Sequence, residues 1–196
     1  MPSGSAVGRP LQIRRRRIQM NPNRFYTMGH GTLQADVFRT TLRAESVAVA
    51  ADVRRFAGSR RHPQFGAAEM RGWLGEGAIE YRPFPELGGR RTPLANSPNT
   101  GLRNTGFRGY ADYMATLDFR MGFNALIALA RERTTAIFCA ETLWWRCHRR
   151  LVADAAVILT GFEVVHLTPH SRATHVPTPG VRREGDILVY PGTNAV

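Results

Sequence analysis

Lysine is absent from this 196-residue chain, and cysteine occurs only twice, as Cys139 and Cys147. Two cysteines make no disulfide framework. Both are expected to stay reduced, which suits a cytoplasmic setting. No apolar run approaches the roughly 20 residues of a membrane-spanning helix, so no membrane partner is expected. The basic N-terminus lacks the apolar block of a secretory signal. A G-x-G-x-x-G fingerprint is missing after the first predicted strand, which argues against a dinucleotide, and no cofactor is expected. There are no internal repeats.

Arginine is what the chain has in excess. Its 27 basic residues stand against 15 acidic ones, a formal net charge of +12. A codon bias explains the choice of arginine over lysine but not the net excess. Guanidinium forks match phosphate oxygens in bidentate geometry, so the composition points to a phosphate-bearing partner, nucleic acid or nucleotide. The apolar fraction is ordinary and the length is sufficient for one domain with a proper core.

The chain divides into a disordered basic arm, residues 1–23 with the run Arg14 to Arg17, and one α/β domain, residues 24–196. Arg24 to Met28 reads as a strand and Gly29 to Thr32 as its turn. Thr32 is placed to cap a helix with Leu33, Val37, Phe38 and Leu42 at helical spacing. Ser46 to Ala51 is a continuous small-apolar run, as in a buried parallel strand, and ends at Asp52-Val53-Arg54. An arginine-rich loop follows, with Arg60 and Phe65, then a helix from Ala67 to Leu74 and a strand from Ile79 to Phe84. Thr92 to Gly109 is long for a structureless segment and reads as a lid or binding loop. Helices at Tyr110 to Met114 and Asp118 to Arg131 lead to a strand at Thr135 to Cys139. A helix from Arg146 to Leu159, a strand from Glu163 to Leu167, a polar connector from His170 to Pro179 and a hairpin around Gly185 complete the chain. This alternation calls for a Rossmann-like α/β domain: a mainly parallel sheet, helices on both faces and a C-terminal hairpin.

In such sheets ligands sit beyond the carboxyl ends of the strands. That rule gathers His30, Asp52, Arg54, Gly88, Gly89, Cys139 and Glu141 at one edge. His148 and Arg149 join from the next helix start, where Arg146 also lies. The long loop adds Arg108 and Tyr110. Arg60, Phe65, Trp144 and Trp145 complete the candidate substrate-binding set.

Several stretches resemble one known family, the domain-of-unknown-function 488 family. They are YTMGHGT at 26–32, ADVRRFAGSRRHPQF at 51–65, IEYRPFPELGGRR at 79–91, GFRGYADYM at 106–114, CAETLWWRCHRRLVADA at 139–155 and THVPTPGVRREGDILVYP at 174–191. The resemblance implies a single Rossmann-like domain. It places signature positions at His30, Asp52, Arg54, Gly88, Gly89, Arg108, Tyr110, Cys139, Glu141, Cys147, His148 and Arg149. It implies no activity.

Function is therefore read from the site. Asp52 and Glu141 are the candidate catalytic carboxylates of a metal-independent, DNA glycosylase-like hydrolase. One would position water and the other would stabilise an oxocarbenium-like charge. The target is a modified or damaged base, unstacked and held on aromatics. DNA is expected over RNA, and a monomer over an assembly. One alternative is a non-catalytic nucleic-acid-binding module. Another is phosphoryl or sulfur transfer through Cys139, although the stretch to Arg146 has one residue too many for a phosphatase loop and no glycines. A metal held by Cys139, Cys147, His148 and His30 has suitable ligand types. Against it, two adjacent residues on a helix point about 100° apart, so no metal is expected.

Overall fold

In the computed structural model, which describes residues 23–58 and 61–192, strand alternation sorts the core into two layers. On strand β1, Arg24–Gly29, Tyr26 and Met28 face one side and Phe25 the other. β2 (Val49–Asp52) sends Ala50 with the first set and Val49 and Ala51 with the second; β4 (Thr135–Cys139) does the same with Phe138 against Ile137. Both strands are buried at every position, so continuous apolar runs replace the in-out pattern of a half-exposed strand.

Helices cover both sides. α1 (Ala35–Ala44) buries Phe38 and Leu42, and α2 (Ala67–Glu76) buries Met70 and Leu74, against the Tyr26 side. α3 (Thr105–Met114), α4 (Leu117–Glu132) and α5 (Arg149–Thr160) pack on the Phe25 side. With β3 (Glu80–Pro83), β5 (Glu163–Leu167) and β6 (Arg172–Thr174) the sheet has six strands in the order β3-β2-β4-β1-β5-β6. All its pairings are parallel except β5 with β6. A separate hairpin, β7 (Arg182–Glu184) with β8 (Ile187–Val189), closes the chain. β4 lies between β2 and β1, and the helices after β1 and β4 leave on opposite faces. A crevice therefore opens beyond the ends of β1 and β4.

Local departures from the sequence pattern have local causes. Thr32 is not the cap of α1: Gln34 holds that position and makes no side-chain cap bond. The Ser46 run does not start a strand, because Ser46 takes φ 55° to turn the chain after α1, and β2 begins only at Val49. α5 begins at Arg149; Trp144–Arg146 is a short 3-10 turn, and Cys147 is extended. The connector from His170 contains β6. The long loop ends early, at Asn104, whose side chain accepts from the Phe107 amide and caps α3. Its middle is tied down by Asp112, which accepts from the Leu94 amide, Ser97 Oγ and Asn99 Nδ2 at 2.6–2.8 Å. It is a wall held by a buried carboxylate. The arm at residues 1–22 and Arg60 lie outside the described residues.

Candidate active site

The turns after β1 and β4 are zipped together. The His30 amide donates to the Cys139 carbonyl and the Gly31 amide to the Ala140 carbonyl, each at 3.0 Å. The Val53 amide donates to the Phe138 carbonyl at 3.1 Å on the other side of β4. Three strand ends thus form one rigid edge, and a cleft of about 640 Å³ lies against it. Its buried lining includes His30, Tyr110, Cys139 and Cys147, with Phe107 and His148 half-buried. Arg55, Phe56, Arg90, Arg146 and Glu141 are exposed at its rim.

At the end of β4 two sulfurs and an imidazole converge. The Sγ atoms of Cys139 and Cys147 and a ring nitrogen of His148 lie within 4.8 Å of one another. His148 Nε2 is 2.9 Å from the Val53 carbonyl oxygen and must donate to it. Nδ1 faces Cys147 Sγ at 3.6 Å: a neutral ring directs a lone pair at that sulfur, and a protonated one donates to it. Arg149 Nε donates to the same sulfur at 3.3 Å. The Cys139 thiol donates to Cys147 and is itself pushed up in pKa by that bond and by burial. Cys147 is burdened by burial, but the Cys139 hydrogen bond and the nearby His148 and Arg149 outweigh it and hold its pKa well below the ordinary thiol value.

The adjacent positions Cys147 and His148 were expected to diverge on a helix. They precede α5, and Cys147 has φ −120° and ψ 149°, so both side chains reach one point. Gly89 makes room: a Cβ there would lie 2.8 Å from His148 Nδ1.

The family model for the domain of unknown function DUF488 matches residues 34–156, more than half of the chain. The chain belongs to the DUF488 family. No curated protein and no solved structure matches it. The family description names no activity, so the placement of each residue in this DUF488 protein carries the argument.

Asp52 is the main correction. It is 1% exposed and lies outside the cleft lining. Its carboxylate accepts from Arg54 Nε at 2.8 Å and Nη2 at 2.6 Å, from the Arg54 amide and from the Tyr81 hydroxyl at 2.7 Å. Nothing is left to position a water. Arg54 lines the cleft but is committed as well, donating also to the Phe65 carbonyl at 2.9 Å. Arg149 is 1% exposed and donates to the carbonyls of Glu141 at 2.5 Å and Thr142 at 3.3 Å. It braces the loop after β4 and cannot hold a phosphate there. The carbonyls of that loop point at Arg149, so the loop is not the ring of amides that a phosphatase uses.

Phe65 stacks on His30 at 4.1 Å and shapes the cleft from behind. Burial holds the pKa of His30 down at about 4. Trp144 stacks on His166 at 4.0 Å and Trp145 packs edge-on against Trp144, so neither tryptophan lines the cleft. Gly88 provides space, since a Cβ would meet the Arg55 backbone at 2.6 Å. Arg108 donates to the Leu102 carbonyl and does not line the cleft. Tyr110 does line it, with its hydroxyl spent on the Leu87 carbonyl at 2.7 Å. Of the two carboxylates only Glu141 reaches the cleft, where one oxygen accepts from the Leu143 amide at 3.1 Å.

Arg55, Phe56, Arg90 and Phe107 were missed. Arg55 and Arg90 directly follow residues that were singled out, Arg54 and Gly89, and position beyond a strand end was the available signal. Among the described residues no helix is long and apolar enough to cross a membrane.

Proposed function

We propose that this protein is a hydrolase that acts on a base of a nucleic acid, DNA in the first instance, bound in the cleft at the ends of β1 and β4. One observation carries the reading. Exposed Arg55, Arg90 and Arg146 ring an opening lined by exposed Phe56, half-buried Phe107 and one available carboxylate, Glu141. Arginines at a rim suit a phosphate backbone; aromatic side chains at the opening suit an unstacked base. Glu141 takes the acid–base role, moving a proton between water and the leaving group. Two buried free thiols fit a reducing compartment, so the reading places the protein in the cytoplasm.

The test has two arms. Binding of single-stranded and duplex oligonucleotides is followed over a salt series. Arg55→Ala, Arg90→Ala and Arg146→Ala should each flatten the slope of log K against log salt by about one unit. Oligonucleotides carrying modified bases are then screened for a released base, an abasic site or an altered base. Glu141→Gln should bind as tightly as wild type and lose about two orders of magnitude in turnover. Salt-insensitive binding, or none at low salt, sinks the nucleic-acid reading. Tight binding with no turnover across the panel leaves the non-catalytic module as the better description.

A further inference from the structure

We infer that Cys139, Cys147 and His148 form a three-ligand site for a zinc-type divalent cation, with the fourth position open to the cleft. The inference rests on the geometry of this cluster and is independent of the nucleic-acid reading.

Four features support it. First, the spacing is that of a coordination polyhedron. Ligands at the usual zinc distances of about 2.3 Å for sulfur and 2.0–2.1 Å for nitrogen, at tetrahedral angles, are separated by roughly 3.5 Å. Cys147 Sγ and His148 Nδ1 are 3.6 Å apart, and all three donor atoms fall within 4.8 Å. Small side-chain rotations close the remainder. Second, the imidazole is set up as a ligand. Its Nε2–H is spent on the Val53 carbonyl, which fixes the tautomer and aims the Nδ1 lone pair at the sulfurs. Metal-bound histidines take such an outer partner almost without exception. Third, the space is kept open by Gly89, because any larger residue would crowd Nδ1. Fourth, the three ligands come from a strand end and a helix start on one rigid edge, and all three line the cleft.

The donor set also says which cation. Two thiolates and an imidazole select zinc-like ions over magnesium or calcium, which require oxygen. Three protein ligands with one position left for water is the pattern of a catalytic rather than a structural site. The chemistry a cation would supply there is acidification of a bound water; Glu141 lines the same cleft without belonging to the cluster. A disulfide would account for two close sulfurs. It would not account for an imidazole aimed at them with its other nitrogen anchored.

The experiment uses the full chain, purified under reductant. Its metal content is measured, zinc is titrated against a chromophoric chelator, and cobalt(II) is substituted for zinc. One equivalent of tightly held metal per chain is expected. The cobalt form should show thiolate-to-metal charge transfer and the intense visible bands of a tetrahedral site. Cys147→Ser and His148→Ala should weaken zinc binding by more than the roughly 10–100-fold that loss of an outer-shell partner costs. The cobalt spectrum is read on the wild-type protein, so a variant that fails to fold does not decide the matter. Reduced wild-type protein that neither retains zinc nor gives the charge-transfer band overturns the inference. So does metal binding that survives Cys147→Ser in a folded protein with the spectrum unchanged.

Discussion

Two carboxylates at strand ends, Asp52 and Glu141, have opposite fates, and their neighbours decide which. Asp52 stands two residues before Arg54, close enough in extended chain for a bidentate pair, and Tyr81 on the adjacent strand closes the remaining oxygen. Breaking such a pair from one side leaves the other charge buried and uncompensated. Asp52→Asn should therefore lower unfolding stability by about 3–5 kcal/mol. Glu141 is exposed, and its carboxylate accepts from the Leu143 amide. Glu141→Gln should change stability by no more than about 0.5 kcal/mol. Urea unfolding of the two variants, run beside the activity assay, separates structure from chemistry. An Asp52→Asn protein as stable as wild type but inactive would return Asp52 to the catalytic role.

At the level of elements, the site depends on two turns crossing without side chains between them. Gly29 ends β1 against the loop that follows β4. A Cβ there would run into the Glu141 carbonyl oxygen and approach Arg149 Nη2 to 2.8 Å. Backbone cannot yield as a side chain can, so Gly29→Ala should cost at least the roughly 1–3 kcal/mol typical of overpacking. Gly72 is the control: it lies within α2 with nothing near its Cβ direction, and Gly72→Ala should stabilise by about 0.5–1 kcal/mol. Equal thermal shifts in the two variants would refute the crossing argument. The same level explains what was legible in sequence. The apolar strands Thr135–Cys139 and Glu163–Leu167 lie where their runs predict, because burial on both faces leaves an unbroken signal. β6 was invisible: its three residues are all exposed and carry no period. The start of α5 was misplaced because Trp144 to His148 have nothing in their composition that forbids helix. They take 3-10 and extended geometry, just after the Glu141 and Thr142 carbonyls that Arg149 holds.

Across the whole molecule, the residues hardest to read from sequence are those that tie β1, β5, α5 and the C-terminal segment into one unit. Thr27 Oγ1 donates to His166 Nδ1 at 2.7 Å. His166 Nε2 then donates to His175 Nδ1 at 3.0 Å, and His175 Nε2 to Asp154 at 2.8 Å. Thr178 and Tyr190 fill the rest of the Asp154 carboxylate. No window of sequence joins positions so far apart, and Asp154 alone looks like an ordinary helix acid. With every ring nitrogen paired, the chain fits neutral imidazole at His166. Burial pushes the pKa of His166 down to about 3, with repulsion from His175 and Arg149 adding to it and Cys147 opposing. The sign of the linkage follows. In the unfolded chain a histidine binds a proton near pH 6.5, while the folded protein refuses it down to about pH 3. The unfolded state then holds more protons, and stability falls as pH drops through that window. One such histidine contributes a slope of about 1.4 kcal/mol per pH unit. His166→Phe keeps an aromatic face for Trp144 but removes the titration. It should be less stable than wild type at pH 7, because Thr27 and His175 lose a partner, yet lose stability more slowly on acidification. Groups distant from His166 affect both proteins alike and cancel in the difference. Urea unfolding at a series of pH values from 7 to about 3.5 reads that difference directly. Parallel pH profiles would mean that folded His166 takes up its proton normally and that the chain of bonds is not closed as drawn.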